Sequence, residues 1–451
     1  MSALDQVSPS EAEIQANFAD IKPALTDEHA VAESNRCLYC YDAPCTIACP
    51  TSIDVPEFIR RIGSGNLQGA AEVILEANVL GASCARVCPT DVLCEGACVF
   101  NQLNMPPIDI GRLQRHATDH VMKNNLFVLK PYGTNGGKSV AVVGGGPAGL
   151  SVAAELSRLG HKAVIFEDKP DSNGLNRYGI APYKLTNEES NAEVKFVQEM
   201  CGFELRNGVR VGRDISLEQL EKDFDAIFLG VGMGGTRRMG IPGENLAGFV
   251  GATEWIDDLR QKPLHETKVG RRVIVVGAGN TAIDAATESA RLGAEEVIIV
   301  YRRGHEDMPA YDFEYTLALK DRVRFFWYTN PVAVLGDTHV TGLRCQKMAP
   351  GEADASGRPR PVAVEGSDFD IPADLVILAT GQDSQKPLYA QVAGLEMSGS
   401  KVKVNEQFQT GNPRYFAGGD CINGGKEVVN AVADGKKAAH AIHQFLTGKQ
   451  A

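Results

Sequence analysis

Eight of the eleven cysteines lie between Cys37 and Cys98, and only Cys201, Cys345 and Cys421 are left for the rest of the 451-residue chain. Their spacing is Cys37-x2-Cys40-x4-Cys45-x3-Cys49-Pro50, then Cys84-x3-Cys88-Pro89 and Cys94-x3-Cys98. Thiolates two to four residues apart can converge on one centre while the residues between them turn, and a proline after a run leads the chain away. Three chemistries use such a set: a disulfide framework, two structural zinc sites, or two [4Fe-4S] clusters. Nothing in the sequence points to secretion, where disulfides persist. Zinc sites typically pair two separated Cys-x2-Cys knuckles, unlike this crowded run. Two clusters fit best, and by spacing alone all eight thiols are candidate ligands.

A second pattern is built on glycine. Ser139–Val143 reads as a strand, followed by Gly144-Gly-Gly146-Pro-Ala148-Gly149 and a helix-like Leu150–Leu159. Such a turn lets the backbone approach a pyrophosphate at a helix N-terminus, where free N–H groups and the dipole favour negative charge. Glu167 closes the next strand, 23 residues after Gly144, where an acid accepts hydrogen bonds from an adenosine ribose. The pattern recurs 133 residues later as strand Arg272–Val276, then Gly277-Ala-Gly279-Asn280-Thr281-Ala282, a helix through Arg291 and strand Val297–Val300. This strand ends in Tyr301-Arg302-Arg303 rather than an acid, and two guanidinium groups suit a ribose 2′-phosphate. That favours NADP over NAD; the plainer alternative is two solvated arginines beside Glu306 and Asp307.

Further on, the apolar run Ala373–Ala379 ends in a turn at Gly381, and Tyr415-Phe-Ala-Gly418-Gly419-Asp420 precedes a helix over Val428–Phe445. An aspartate at such a strand end can hydrogen-bond a flavin's ribityl chain while the helix start aims its dipole at the ring. His116 with His120 and His440 with His443 have helical spacing but no visible third ligand, so surface or helix-face histidines are expected. No nucleophile triad, P-loop or carboxylate pair stands out. The chemistry is therefore expected from cofactors.

The elements that position these groups must come from an ordinary globular chain: 43% hydrophobic, 23% charged and with 47 glycines, which excludes wholesale disorder. Its length implies two or three domains. A net charge of -12 argues against nucleic acid and anionic membrane as main partners. Met1–Phe18 carries acids where a leader needs basic residues, and no run of 18 apolar residues occurs. The expectation is a soluble, cytoplasmic protein.

Over about Glu33–Phe445 the combination resembles the family containing the small subunit of glutamate synthase, the N-terminal half of dihydropyrimidine dehydrogenase and the PreT-type small subunit of bacterial NAD-dependent dihydropyrimidine dehydrogenase. Pro107-Ile-Asp-Ile-Gly111-Arg-Leu-Gln114-Arg115 is similar to the pyrimidine enzymes, with glutamine where glutamate synthase small subunits carry glutamate. The resemblance implies an α/β fold: a helical double iron-sulfur cluster domain followed by two nested doubly wound dinucleotide-binding domains. The expected ranges are 1–131 for the clusters, 132–262 and 386–451 for FAD and 263–385 for NAD(P), with a linker around Tyr132–Lys138.

The resemblance also implies ligands. Cys37, Cys40, Cys45 and Cys98 would hold one cluster and Cys49, Cys88, Cys94 and Gln114 the other, leaving Cys84 free, whereas spacing alone uses all eight thiols. FAD would meet Gly144, Gly146, Ala148, Gly149, Glu167, Gly174, Leu175, Lys184, Asp420 and Val429. NADP or NAD would meet Gly277, Gly279, Asn280, Thr281, Arg302, Arg303 and Gly381. Two departures stand on the flavin side: a family Gly-Gly-Leu reads Asn173-Gly174-Leu175, and Lys184 replaces an arginine, keeping charge but not bidentate geometry. The implied function is electron transfer from NAD(P)H through FAD and the clusters to an FMN-containing catalytic subunit that reduces uracil or thymine, in a hetero-oligomer. The other readings are a glutamate synthase-like electron donor, against which Gln114 speaks, and an inert metal-stabilised scaffold.

Overall fold

The computed structural model describes residues 9–133, 137–353 and 357–448, so part of the expected linker around Tyr132–Lys138 lies outside the described residues. The chain divides into two compact units. One contains Asp20–Arg177, Lys184–Met233 and the chain from Ser384 onward; the other contains the chain up to Ala19, Tyr178–Tyr183 and Gly234–Asp383.

Each unit is built on a five-stranded parallel sheet. In the first the order is Tyr415–Ala417, Ala226–Leu229, Ser139–Val143, Lys162–Glu167, Glu204–Asn207. In the second it is Phe249–Gly251, Leu375–Leu378, Arg272–Val276, Glu296–Val300, Arg324–Phe326. Continuous apolar runs such as Val140–Val143 and Leu375–Leu378 are buried throughout, as parallel strands covered on both faces must be. In both sheets the strand leading into a glycine turn lies where the strand order reverses, the place where a doubly wound sheet opens a crevice. The second unit also carries an antiparallel sheet of Thr329–Gly336, Val340–Ala353, Pro359–Ala363 and Phe369–Pro372.

The cysteine segment is helical. Helix Val55–Gly63 buries Val55, Phe58, Ile59 and Ile62 on one face, and the Asp54 side chain caps it by accepting from the Glu57 N–H at 3.1 Å. Helix Ile110–Lys123 buries Ile110, Leu113, Gln114, Ala117 and Val121. All of these side chains except Gln114 belong to the same apolar core as Val140, Val142, Leu150 and Ile165 of the neighbouring sheet layer. The expected boundary at 131/132 therefore does not separate compact units. The boundary at 262/263 falls inside the second unit, because Phe249–Gly251 pairs with Leu375–Leu378 in its sheet. Among the described residues no helix is long and apolar enough to cross a membrane.

One buried carboxylate ties the helical segment to the sheet layer. Helix Asn187–Cys201 starts in a capping box of Thr186 and Glu189 and brings in Glu193, only 1% exposed. Glu193 accepts from the N–H groups of Ala82 at 2.8 Å and Ser83 at 3.0 Å, and from the Ser83 hydroxyl. Beside it Arg86 pairs with Asp119 at 2.8 Å and Glu189 at 2.9 Å, and Arg115 with Asp20 at 2.5 Å. Replacing Glu193 by Ala leaves buried donors without an acceptor. The variant should lose about 3 kcal/mol of unfolding free energy in urea, while Glu193→Gln, which keeps one acceptor oxygen, should lose less.

Candidate functional site

Two small cavities lie among the cysteines. Cys37, Cys40, Cys45 and Cys98 line the first, against the apolar side chains of Ile59 and Phe100. Cys49, Cys84, Cys88, Cys94 and Gln114 line the second, with Asn78 and Val429. Each linear run thus gives one thiol to the other cavity: Cys49 leaves the first run and Cys98 the second. Among the described residues no three His, Cys, Asp or Glu side chains converge as ligands of a single ion; the thiols stand around cavities instead. Burial pushes the Cys45 thiol up to about 11 and raises Cys37 and Cys94 as well. Cys88 is raised by a hydrogen bond with Cys84 together with burial. Such thiols ionise only when a cationic group supplies the compensating charge, and its binding releases protons. Sulfur donors around two largely apolar cavities fit two [4Fe-4S] clusters.

Cys84 and Gln114 are both at the second cavity, so five side chains surround a group that needs four. Gln114 is 7% exposed, and its Nε2 donates to the Gly81 carbonyl at 2.7 Å. With the nitrogen so engaged, Oε1 is the atom left as a ligand.

The first glycine turn separates two reasons for glycine. Gly144 has φ +100°, and a Cβ there would stand 2.5 Å from the Gly230 carbonyl oxygen; at Gly149 it would stand 2.0 Å from that of Gly144. Folding alone requires both. Gly146 has φ −74°, and a Cβ would meet nothing nearer than the Gly174 Cα at 3.8 Å. The fold leaves room for a side chain there, and what needs glycine is an approaching pyrophosphate. Glu167 accepts from the Gly145 N–H at 2.7 Å and the Lys169 N–H at 2.9 Å, while burial pushes its carboxyl up to about 7. Ala148 lies under Gly419, whose added Cβ would be 3.0 Å from the Ala148 Cβ, so Asp420 comes to the same turn. Asp420 Oδ1 accepts from the Lys426 N–H at 3.1 Å, and burial raises its carboxyl.

Asn173 takes φ +102°, a conformation in which asparagine is tolerated better than most residues. Its side chain is fully buried: Nδ2 donates to the Ser190 hydroxyl at 3.0 Å and Oδ1 accepts from Asn176 at 3.1 Å. This network replaces the conformational freedom of the family's glycine and holds Gly174 against Gly146. Leu175 is 41% exposed and Lys184 half-buried. Val429, expected at the flavin, instead buries its side chain against Cys84 and Cys88, at the start of helix Val428–Thr447.

The second turn repeats the logic. Gly277 has φ +130° and a Cβ would stand 2.3 Å from the Ala379 carbonyl oxygen, but at Gly279, φ −87°, the nearest atom is Pro309 Cγ at 4.0 Å. Asn280 Oδ1 accepts from the Tyr311 N–H at 3.2 Å, Thr281 is exposed, and the Gly381 carbonyl accepts from the Arg237 N–H at 2.9 Å. The arginine pair divides. Arg302 is exposed, whereas Arg303 is 8% exposed and donates Nε to the Pro359 carbonyl at 3.1 Å. Of the two strand-end arginines expected for a 2′-phosphate, the structure leaves Arg302 at the surface and holds Arg303 against the antiparallel sheet. His443 is likewise no surface residue: its Nδ1 lies 2.8 Å from His161 Nε2 in a buried pair.

Residues 14–126 match the model of dihydropyrimidine dehydrogenase domain II, 4Fe-4S cluster, and residues 138–435 that of pyridine nucleotide-disulphide oxidoreductase. The chain is 35% identical over 442 residues to the glutamate synthase [NADPH] small chain of Halomonas elongata, covering 95% of this chain and 93% of that protein. It is 35% identical over 435 residues to the NAD-dependent dihydropyrimidine dehydrogenase subunit PreT of Escherichia coli, covering 96% and 98%. The chain belongs to this family of small subunits. Its fold is shared by Mycobacterium tuberculosis FprA in complex with NADPH, with 22% identity, TM-score 0.58 and coverage of 69% of this chain and 85% of that one. As a member of the family it is an NAD(P)H-dependent oxidoreductase that binds FAD and [4Fe-4S] clusters.

Sequence reasoning did not single out Asn78 or Glu193; neither sits in a motif, and only the packing of distant helices gives them roles.

Gly146→Ala should leave urea stability near wild type while weakening FAD at least tenfold, read as flavin absorbance after gel filtration. Gly149→Ala should instead destabilise by more than about 2 kcal/mol. Iron analysis tests the ligands: Gln114→Leu should lose iron from one cluster and Cys84→Ser should not, whereas equal loss from both would favour eight cysteine ligands.

Proposed function

We propose that the chain takes hydride equivalents from NAD(P)H and delivers single electrons to an FMN-containing partner that reduces uracil or thymine to the dihydropyrimidine, within a cytoplasmic hetero-oligomer. The observation that carries this reading is the second cavity: Gln114 lines it with its amide held by the Gly81 carbonyl, and Val429 of the helix that follows Asp420 forms part of its wall. The flavin side and the clusters therefore share one compact unit.

When bound, the nicotinamide, flavin and clusters supply hydride transfer and its conversion into single-electron transfer. The residues bind and orient them. The backbone at Gly146 and Gly279 admits the two pyrophosphates, with helices Pro147–Arg158 and Asn280–Arg291 starting at those turns. Glu167 holds the Gly145 and Lys169 amides and offers a carboxyl edge to a ribose, and Arg302 offers an exposed cation to a 2′-phosphate. Ile59 and Phe100 give the first cysteine cavity an apolar wall, and Ile53, Leu93 and Val429 the second. Tyr41 and Ile47, beside the first, are 101% and 77% exposed and supply an apolar rim for a partner.

Identity is 35% both to a glutamate synthase small chain and to PreT, so overall similarity does not choose the partner. Gln114 favours the pyrimidine reading, because a glutamate there would set a carboxylate oxygen against the Gly81 carbonyl. An inert scaffold would not need glycine at Gly146 or Gly279.

Alone, the chain should reduce artificial acceptors with NAD(P)H, and dihydrouracil should form only when the FMN subunit is added. Glutamate formation with a glutamine-dependent partner and no dihydrouracil would select the other reading. Arg302→Ala should weaken NADPH by about 1 to 3 kcal/mol, read as KM, and leave NADH unchanged.

A further inference from the structure

Asn78 follows helix Leu67–Ala77, is completely buried, and lines the cavity that also contains Cys49, Cys88, Cys94 and Gln114. Its Oδ1 accepts the Leu80 N–H at 3.1 Å, which fixes the amide orientation, since a flipped amide would set donor against donor. Among the described residues Nδ2 then has no hydrogen-bond partner. A buried amide donor left unpaired is costly, and native proteins rarely keep one without a ligand, ion or water to receive it. The neighbouring polar side chain at the cavity, Gln114, is already committed through Nε2 to Gly81. The two amides are thus complementary: one leaves an oxygen for the cavity and the other a donor.

We propose that Asn78 Nδ2 donates a hydrogen bond to a sulfur of the cluster in this cavity and raises its reduction potential. This rests on the reading that the cavity holds a [4Fe-4S] cluster. The reduced cluster carries one more negative charge than the oxidised one, so a donor stabilises it more. The neutral Gln114 oxygen, in place of a fourth thiolate, acts in the same direction by making the whole site less negative. Together the two amides set this cluster as the readier electron acceptor of the pair.

The test is a potentiometric titration of the anaerobically purified full chain, followed by electron paramagnetic resonance. Gln114→Cys marks the wave of the second cavity, because an added thiolate lowers it. Asn78→Ser keeps an acceptor for the Leu80 N–H but is too short to reach the cluster, and Asn78→Asp exchanges the donor for a negative charge. With iron content at the wild-type level, the Ser variant should lower the marked wave by at least tenfold in the reduction equilibrium, about 59 mV for a one-electron couple. The Asp variant should lower it further, and the other wave should stay in place. An unmoved marked wave in a fully loaded Ser variant overturns the proposal, with water receiving Nδ2 instead. Wild-type chain with iron for one cluster only overturns the reading of the cavity, and the role of Asn78 with it. A measurement on wild type needs no variant to fold: asparagine labelled with ¹⁵N should show magnetic coupling to the reduced second cluster, and its absence also overturns the proposal.

Discussion

A carboxylate with 1% of its surface exposed must find donors inside the protein, and the placement of the second cysteine cavity depends on where Glu193 finds them. They are the Ala82 and Ser83 N–H groups, in the first turn of helix Gly81–Val87. That helix carries Cys84 into the cavity and leads directly to Cys88, and its first carbonyl, that of Gly81, holds the Gln114 amide. One buried charge thus sets the position of two thiols and an amide relative to the sheet layer that bears the first glycine turn. Arg86 and Arg115 complete the arrangement, because a buried guanidinium needs the carboxylates of Asp20, Asp119 and Glu189 as much as they need it.

The two glycine turns obey a different constraint, the reach of a phosphate toward backbone N–H groups. At the first glycine of each turn, positive φ and a carbonyl oxygen within 2.5 Å of any added Cβ make glycine a condition of folding. At the second, ordinary extended backbone and open space make it a condition of binding. The distinction matters because both kinds look the same in the motif. A chain that kept only the fold would be free to replace Gly146 and Gly279, and this one has kept both.

Where sequence expectation and structure part, the cause is competition for buried polar groups. Arg303 was legible as a cation at a strand end, but the Pro359 carbonyl of a sheet far along the chain takes its guanidinium. Asn173 looked like a departure from a glycine position; with Ser190 and Asn176 as partners it holds the left-handed conformation without glycine. The family resemblance implied Val429 at the flavin, and its side chain joins the apolar group around Cys84 and Cys88. Apart from Asn176, three residues after Asn173, these partners are distant in sequence, and no local pattern could have named the distant ones.

The sequence by itself determined the local chemistry: thiol spacing that suits clusters, two strand, glycine-turn and helix units, and an arginine pair at the end of the second unit's strand. These are local signals, because ligand spacing, turn conformation and parallel-strand hydrophobicity are all written in contiguous residues. Thiol spacing alone left the eight cysteines undivided; the tertiary structure groups Cys37, Cys40, Cys45 and Cys98 at one cavity and Cys49, Cys88 and Cys94 at the other, as the family resemblance implied, and adds Cys84 beside Gln114. It also decided that Phe249–Gly251 joins the second sheet and that Asn78, with an unpartnered amide nitrogen, lines the second cavity. The physical reason is that burial and hydrogen-bond satisfaction are properties of packed helices and strands, and a residue's partner there is chosen by the fold rather than by its neighbours in the chain.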